Sequence, residues 1–170
     1  MDIELLRLMR QTIKRGDLKA VKKLILENEG LLEIVTPLGS WLHMAAEYGN
    51  CELVEYFINC GLDVNLDGGL SEASAISCAA ENGHLDVVKL LYKNGTQFDV
   101  SKATKNPLFG AIYGNHLDVV KFLVENGINI AAKYKIGKLE QCDAYEYARQ
   151  LGRTQIANYL YQQLALRTLI

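Results

Sequence analysis

Three histidines, four cysteines and a scatter of carboxylates are the side chains that could do chemistry in this chain of 170 residues. An imidazole can relay protons or ligate a metal, and a thiolate can attack a carbonyl or hold zinc. The spacing argues against each of these uses. Cys51, Cys60, Cys78 and Cys142 contain no Cys-x-x-Cys pair and have no histidine at zinc-finger distance. Cys78 precedes Ala79-Ala80 in a line of small residues, where a buried thiol acts as a small hydrophobe. His43, His84 and His116 fall in separate segments, and there is no His-Glu-x-x-His helix, Gly-x-Ser-x-Gly elbow or glycine-rich phosphate loop. Glu47, Glu52, Glu81 and Asp86 occupy recurring positions that suit hydration better than a paired acid and base. The sequence therefore predicts no catalytic residue, metal or cofactor, and thiols kept reduced.

What the histidines share is their place in a repeated element. From Glu81 to Gly95, the apolar residues Leu85, Val88 and Leu91, with Val87 and Leu90 beside them, recur at helical spacing. That helix is too short to stand alone, and the chain writes it again. Asn115-His116-Leu117-Asp118-Val119-Val120-Lys121 is nearly a copy, Gly49-Asn50-Cys51-Glu52-Leu53-Val54 a looser one, and Gly16 and Gly152 open the two end versions. The equivalent turn positions Gly16, Gly49, Gly83, Asn115 and Gly152 lie 33, 34, 32 and 37 residues apart. Before each outer helix comes an inner one, begun by Ser40, Ser74, Asn106 or Asp143 as N-cap, with Pro107 at a first helical position. The inner helices carry Ala45-Ala46, Ala79-Ala80 and Ala111, small enough to let neighbours approach closely. The larger outer-helix groups Leu53, Val54, Phe57, Val87, Leu91, Val119, Phe122 and Leu123 fill the space behind them. Asp2 caps a first helix ending near Lys14, and the last outer helix is expected from about Gln155 through Gln163.

A period near 33 with a turn and two helices per unit resembles the ankyrin repeat. Ser40-Trp41-Leu42-His43-Met44-Ala45-Ala46, Ser74-Ala75-Ile76-Ser77-Cys78-Ala79-Ala80 and Asn106-Pro107-Leu108-Phe109-Gly110-Ala111-Ile112 are similar to the family's Thr-Pro-Leu-His-x-Ala-Ala line, and Asp143-Ala144-Tyr145-Glu146-Tyr147-Ala148 to its C-terminal cap version. The resemblance implies an all-α solenoid of about five stacked helix-turn-helix repeats with finger loops between them, the end repeats acting as caps. It covers one domain, 1–170, with repeats near 1–35, 36–68, 69–101, 102–137 and 138–170. It also implies that His43 hydrogen-bonds the neighbouring finger backbone, while His84 and His116 satisfy carbonyls near the turns.

In this family the concave face and finger tips bind other proteins. Carried onto this chain, those positions are Trp41, Glu47, Tyr48, Glu81, Asn82, Tyr113, Gln150 and Leu151 on the helices, and Asp67, Leu70, Glu72, Lys102, Lys105, Tyr134 and Lys138 at the tips. Trp41, standing where the family has proline, is expected to be partly exposed and, with Tyr48 and Tyr113, to anchor the partner. Early fingers are acidic (Glu29, Glu33, Asp63, Asp67, Glu72) and later ones basic (Lys102, Lys105, Lys133, Lys135, Lys138), so a partner graded from basic to acidic is expected. The last finger, 128–142, is the longest and is read as either neutral drift or a contact element. Leu164, Leu166, Leu169 and Ile170 make an apolar tail, either folded back or part of a contact.

A formal charge of −2 argues against nucleic-acid binding. No apolar run is long enough for a membrane span, and Met1-Asp2-Ile3-Glu4 lacks the basic start of a signal peptide. A cytoplasmic, non-catalytic protein that binds another protein is the expectation. The segment 106–112, the long finger and Asp-Ala-Tyr-x-Tyr-Ala after it resemble small bacterial ankyrin proteins, some of which are immunity proteins that neutralise a cognate toxin. The alternative is a general scaffold, a regulatory adaptor or a translocated effector with an unrelated protein partner.

Overall fold

The computed structural model describes residues 2–167. Among these, ten helices form five pairs: α1 Ile3–Arg15 with α2 Leu18–Glu27, α3 Trp41–Glu47 with α4 Cys51–Asn59, α5 Ala75–Glu81 with α6 Leu85–Lys93, α7 Pro107–Gly114 with α8 Leu117–Glu125, and α9 Ala144–Gln150 with α10 Thr154–Arg167.

The same local chemistry starts each pair. Asp2, Ser74, Asn106 and Asp143 accept the backbone N–H of Glu4, Ser77, Leu108 and Glu146, satisfying donors that a helix start would otherwise orphan. At Ser40 the arrangement is reciprocal, with the Ser40 N–H donating to His43 Nδ1 at 3.2 Å. The same chemistry also turns each pair. Gly16, Gly49, Gly83, Asn115 and Gly152 adopt φ of 71°, 72°, 76°, 64° and 68°. Asparagine is among the few non-glycine residues that tolerate this left-handed region, which is how it substitutes at 115. After each of them one backbone bond closes the first helix. Asn50, His84, His116 and Arg153 donate to Ala45, Ala79, Ala111 and Ala148 at 3.0, 3.0, 2.9 and 2.8 Å.

The inner helices α1, α3, α5, α7 and α9 pack on one another in succession. Ala45, Ala46, Ala79, Ala80, Ala111 and Ala148 are wholly buried, and behind them so are Leu53, Val54, Phe57, Leu91, Val119, Leu123, Ile156 and Leu160. A single pair would leave its apolar face in water, so the stack is the stable unit.

Trp41 departs from expectation. Its side chain is 0% exposed and its Nε1–H donates to Leu31 O at 2.6 Å. The indole turns inward at the start of α3 and ties the first finger down, which gives a large ring both burial and a partner for its N–H. It is therefore not a contact residue.

The fingers carry short antiparallel pairings and no closed sheet. β1 Asp67–Gly68 pairs with β2 Ala73–Ser74, and β3 Tyr134–Ile136 with β4 Leu139–Cys142. The extra length of the last finger is thus a hairpin that docks internally. The Tyr134 hydroxyl donates to Val100 O at 2.7 Å and accepts from Asn106 Nδ2 at 3.0 Å. α10 runs to Arg167, past the Gln163 expected; Leu164 packs against the core and Leu166 is exposed. Leu169 and Ile170 lie outside the described residues. Among the described residues no helix is long and apolar enough to cross a membrane.

Candidate protein-binding face

The imidazoles serve as clips between repeats. His43 Nε2–H donates to Leu66 O at 3.0 Å while Nδ1 accepts from Ser40, which fixes the neutral tautomer. Burial holds the His43 pKa below its ordinary value. His84 donates from Nε2 to Glu47 O at 3.0 Å and His116 to Glu81 O at 3.1 Å, each reaching back to the end of the preceding inner helix. Their rings lie on Gly49 and Gly83, where an added Cβ would stand 2.4 Å from Nδ1 in either case. At the next register Arg153 takes the same role, Nη2–H donating to Tyr113 O at 2.8 Å.

The slot filled by His43 also varies along the chain. Ser77 Oγ–H donates to Lys105 O at 2.6 Å, doing the work of His43 with a smaller group. Phe109 cannot donate, and its ring instead meets Tyr134 edge-on at 4.9 Å, so the long finger is held by an aromatic contact. Burial pushes the Cys78 thiol up to about 12 and also raises those of Cys51 and Cys142. A thiol so shifted is a poor nucleophile. Among the described residues no group of three or more His, Cys, Asp or Glu is placed to hold a metal ion.

What these clips leave open is the far end of each inner helix. Glu81, Asn82, Tyr113 and Gln150 are exposed there, and Glu47, Tyr48 and Leu151 half-buried. Tyr113 keeps 55% of its surface in water. Two concavities join these ends to the fingers. One, of about 730 Å³, lies between α1 and the first finger and is lined by Ile3, Arg10, Lys14, Leu38 and Tyr48. Lys14 Nζ sits 5.7 Å above the Tyr48 ring there. The other, of about 480 Å³, lies under the β3–β4 hairpin and is lined by Glu81, Phe109, Gly110, Tyr113, Ile136 and Tyr147. The sequence brought Tyr48, Glu81 and Tyr113 forward but not Arg10, Lys14, Leu38 or Tyr147. Lys14 reads from the sequence as part of a cap's solvated face, and Tyr147 as part of a cap motif.

The finger tips correct another expectation. Lys105 Nζ lies 2.6 Å from Asp67 and 3.5 Å from Asp99, Lys102 pairs with Glu72, and Lys135 Nζ lies 2.7 Å from Glu140. Asp67 and Glu72 of one finger thus neutralise Lys105 and Lys102 of the next, which closes about half of the charge gradient expected to meet a partner, while Glu29, Glu33, Asp63, Lys133 and Lys138 form no ion pair among the described residues. Tyr134 is likewise half-buried with its hydroxyl engaged, so it is an anchor and not a free tip. Leu70, 88% exposed, and Lys138 remain open.

A family model described as ankyrin repeats (3 copies) matches residues 8–102 and 42–134. Among curated proteins, alpha-latrotoxin-Lh1a of Latrodectus hasselti is 38% identical over 68 residues, which is 37% of this chain and 5% of that protein. This chain thus corresponds to a small part of that relative's length.

Proposed function

The chain belongs to the ankyrin-repeat family, and from that premise we propose that it is a non-catalytic module that grips a partner protein with the open ends of its inner helices. The family's members are generally protein-binding. The observation that carries the reading here is the row Tyr48, Glu81, Asn82, Tyr113 and Gln150, which stays accessible although neighbouring carbonyls and rings are engaged. An exposed tyrosine offers large contact area at low entropic cost. Beside it the Glu81 carboxylate has no ion-pair partner among the described residues, while Asn82 and Gln150 bond within their own helices to Cys78 O and Glu146. Leu70 and Lys138 at the tips extend the same face.

The finer reading is a bacterial immunity protein that binds and blocks a cognate toxin in the cytoplasm. It is supported by the resemblance carried by segment 106–112 and by the hairpin finger leading into Asp143–Ala148. The latrotoxin similarity covers a small part of that protein and assigns no role to this one. The test is co-expression with the toxin-like product of the adjoining reading frame, expected to give a stoichiometric complex and restored growth. Absence of such a reading frame, or of the complex, would overturn the immunity reading in favour of an adaptor with another protein partner.

A further inference from the structure

The cleft beneath the β3–β4 hairpin has a composition unlike the rest of the face. Its wall is an aromatic stack: Tyr147 lies parallel to Phe109, centroids 4.9 Å apart at 19°, and Phe109 meets Tyr134 at 89°. Tyr134 is in turn pinned through its hydroxyl to Val100 and Asn106, so the wall is rigid. Tyr113, on the same helix as Phe109, stands open beside it. Gly110 lines the floor, where the absence of a side chain lets α7 lie close against α5. A Cβ there would stand 3.2 Å from Ser77 O and 3.4 Å from Glu81 Cβ. At the rim the Glu81 carboxylate is exposed and, among the described residues, has no ion-pair partner.

We propose that this cleft is a subsite for a planar cation, the guanidinium of an arginine on the bound partner. The proposal rests on the protein-binding reading and adds the chemistry of one contact. An aromatic face attracts a cation through its quadrupole, and a guanidinium can stack on a ring while its edge donates to a carboxylate. A lysine ammonium does only one of these well. Burial, with Tyr113, Cys142 and Glu81 nearby, raises the Tyr147 pKa, so that ring stays neutral. Two cations already lie close: Lys135 is paired with Glu140, while Arg153 bonds the neutral Tyr113 carbonyl and keeps its charge beside the cleft. The volume of about 480 Å³ falls within the roughly 300–1,000 Å³ of ligand clefts.

The experiment is an amide-resolved NMR titration of the whole chain with N-acetyl-arginine methylamide, beside its neutral isostere N-acetyl-citrulline methylamide and the lysine analogue. Saturable shifts are expected at Glu81, Gly110, Tyr113 and Tyr147, about fivefold weaker for citrulline and for Glu81→Gln. Both Glu81→Gln and Tyr113→Ala alter exposed side chains, and unchanged melting confirms that each variant is folded. No saturable shift at these residues, equal binding of citrulline, or equal binding to Glu81→Gln would overturn the subsite. Equal binding of lysine would overturn its planar-cation selectivity. Since partner capture is measured separately, a blank titration removes this subsite and leaves the protein-binding reading to its own test.

Discussion

Trp41 and His43, two positions apart, show how far a residue's role depends on the finger it meets. Trp41 begins α3 at a position the family gives to proline, and nothing in the period says whether an indole there points out or in. The answer depends on the path of residues 28–39, which places Leu31 O within 2.6 Å of the ring nitrogen. Trp41→Phe would keep most of the packing and leave that carbonyl only the longer bond from the Ile34 N–H at 3.4 Å. The lost indole bond should cost about 0.5–1.5 kcal/mol, seen as a lower urea midpoint at unchanged slope. His43 was legible because its slot in the repeat has a fixed bonding role, and both ring nitrogens are engaged as that slot implies. Its pKa lies below the ordinary 6.5 because burial disfavours the charged ring. The unfolded chain therefore takes up this proton first. The resulting contribution to stability is fully present above pH 6.5 and is lost as pH falls below it toward the folded-state pKa. Protonation would also remove the Nδ1 acceptor from Ser40. Melting temperature should thus decline from pH 7.5 to pH 5, and the His43 ring followed by NMR should titrate below 6.5; titration above 6.5 would contradict the assignment.

Among the elements, the helix pairs could be read in advance and the fingers could not. Caps, left-handed turns and alanine seams are chemical requirements that recur at one phase, so the sequence displays each of them several times. The seam makes Ala80→Leu a direct test, since Ala80 is fully buried and overpacking should cost on the order of 1–3 kcal/mol. Gly83→Ala tests the turn, where φ is +76° and the new Cβ would enter the His116 ring. The left-handed strain alone should cost about 1–2 kcal/mol by thermal melting, and an unchanged midpoint would mean that His116 does not rest on this turn. The fingers escaped because strands of two to four residues are too short for an alternating pattern to declare them. The pairs Lys102–Glu72 and Lys105–Asp67 span 30 and 38 residues of chain and are set by how successive fingers lean on each other. A charge list cannot separate an internal pair from a surface waiting for a partner.

At the scale of the whole molecule, five helix pairs that could not stand singly become stable by stacking, and the stack leaves one row of side chains, Tyr48 to Gln150, partly or wholly in contact with water. That row, together with the clefts at α1 and under the hairpin, is the surface on which the protein-binding reading depends. The most direct measurement is recovery of the partner from the native host with the tagged chain, comparing wild type with Tyr48→Ala/Tyr113→Ala on the inner face and Lys89→Ala/Lys93→Ala on the outer helix α6. The account predicts that the inner-face pair lowers affinity at least about tenfold while the chain still melts cooperatively, and that the outer pair leaves affinity intact. Loss of the partner through the α6 substitutions, with the tyrosine variant binding as tightly as wild type, would contradict it.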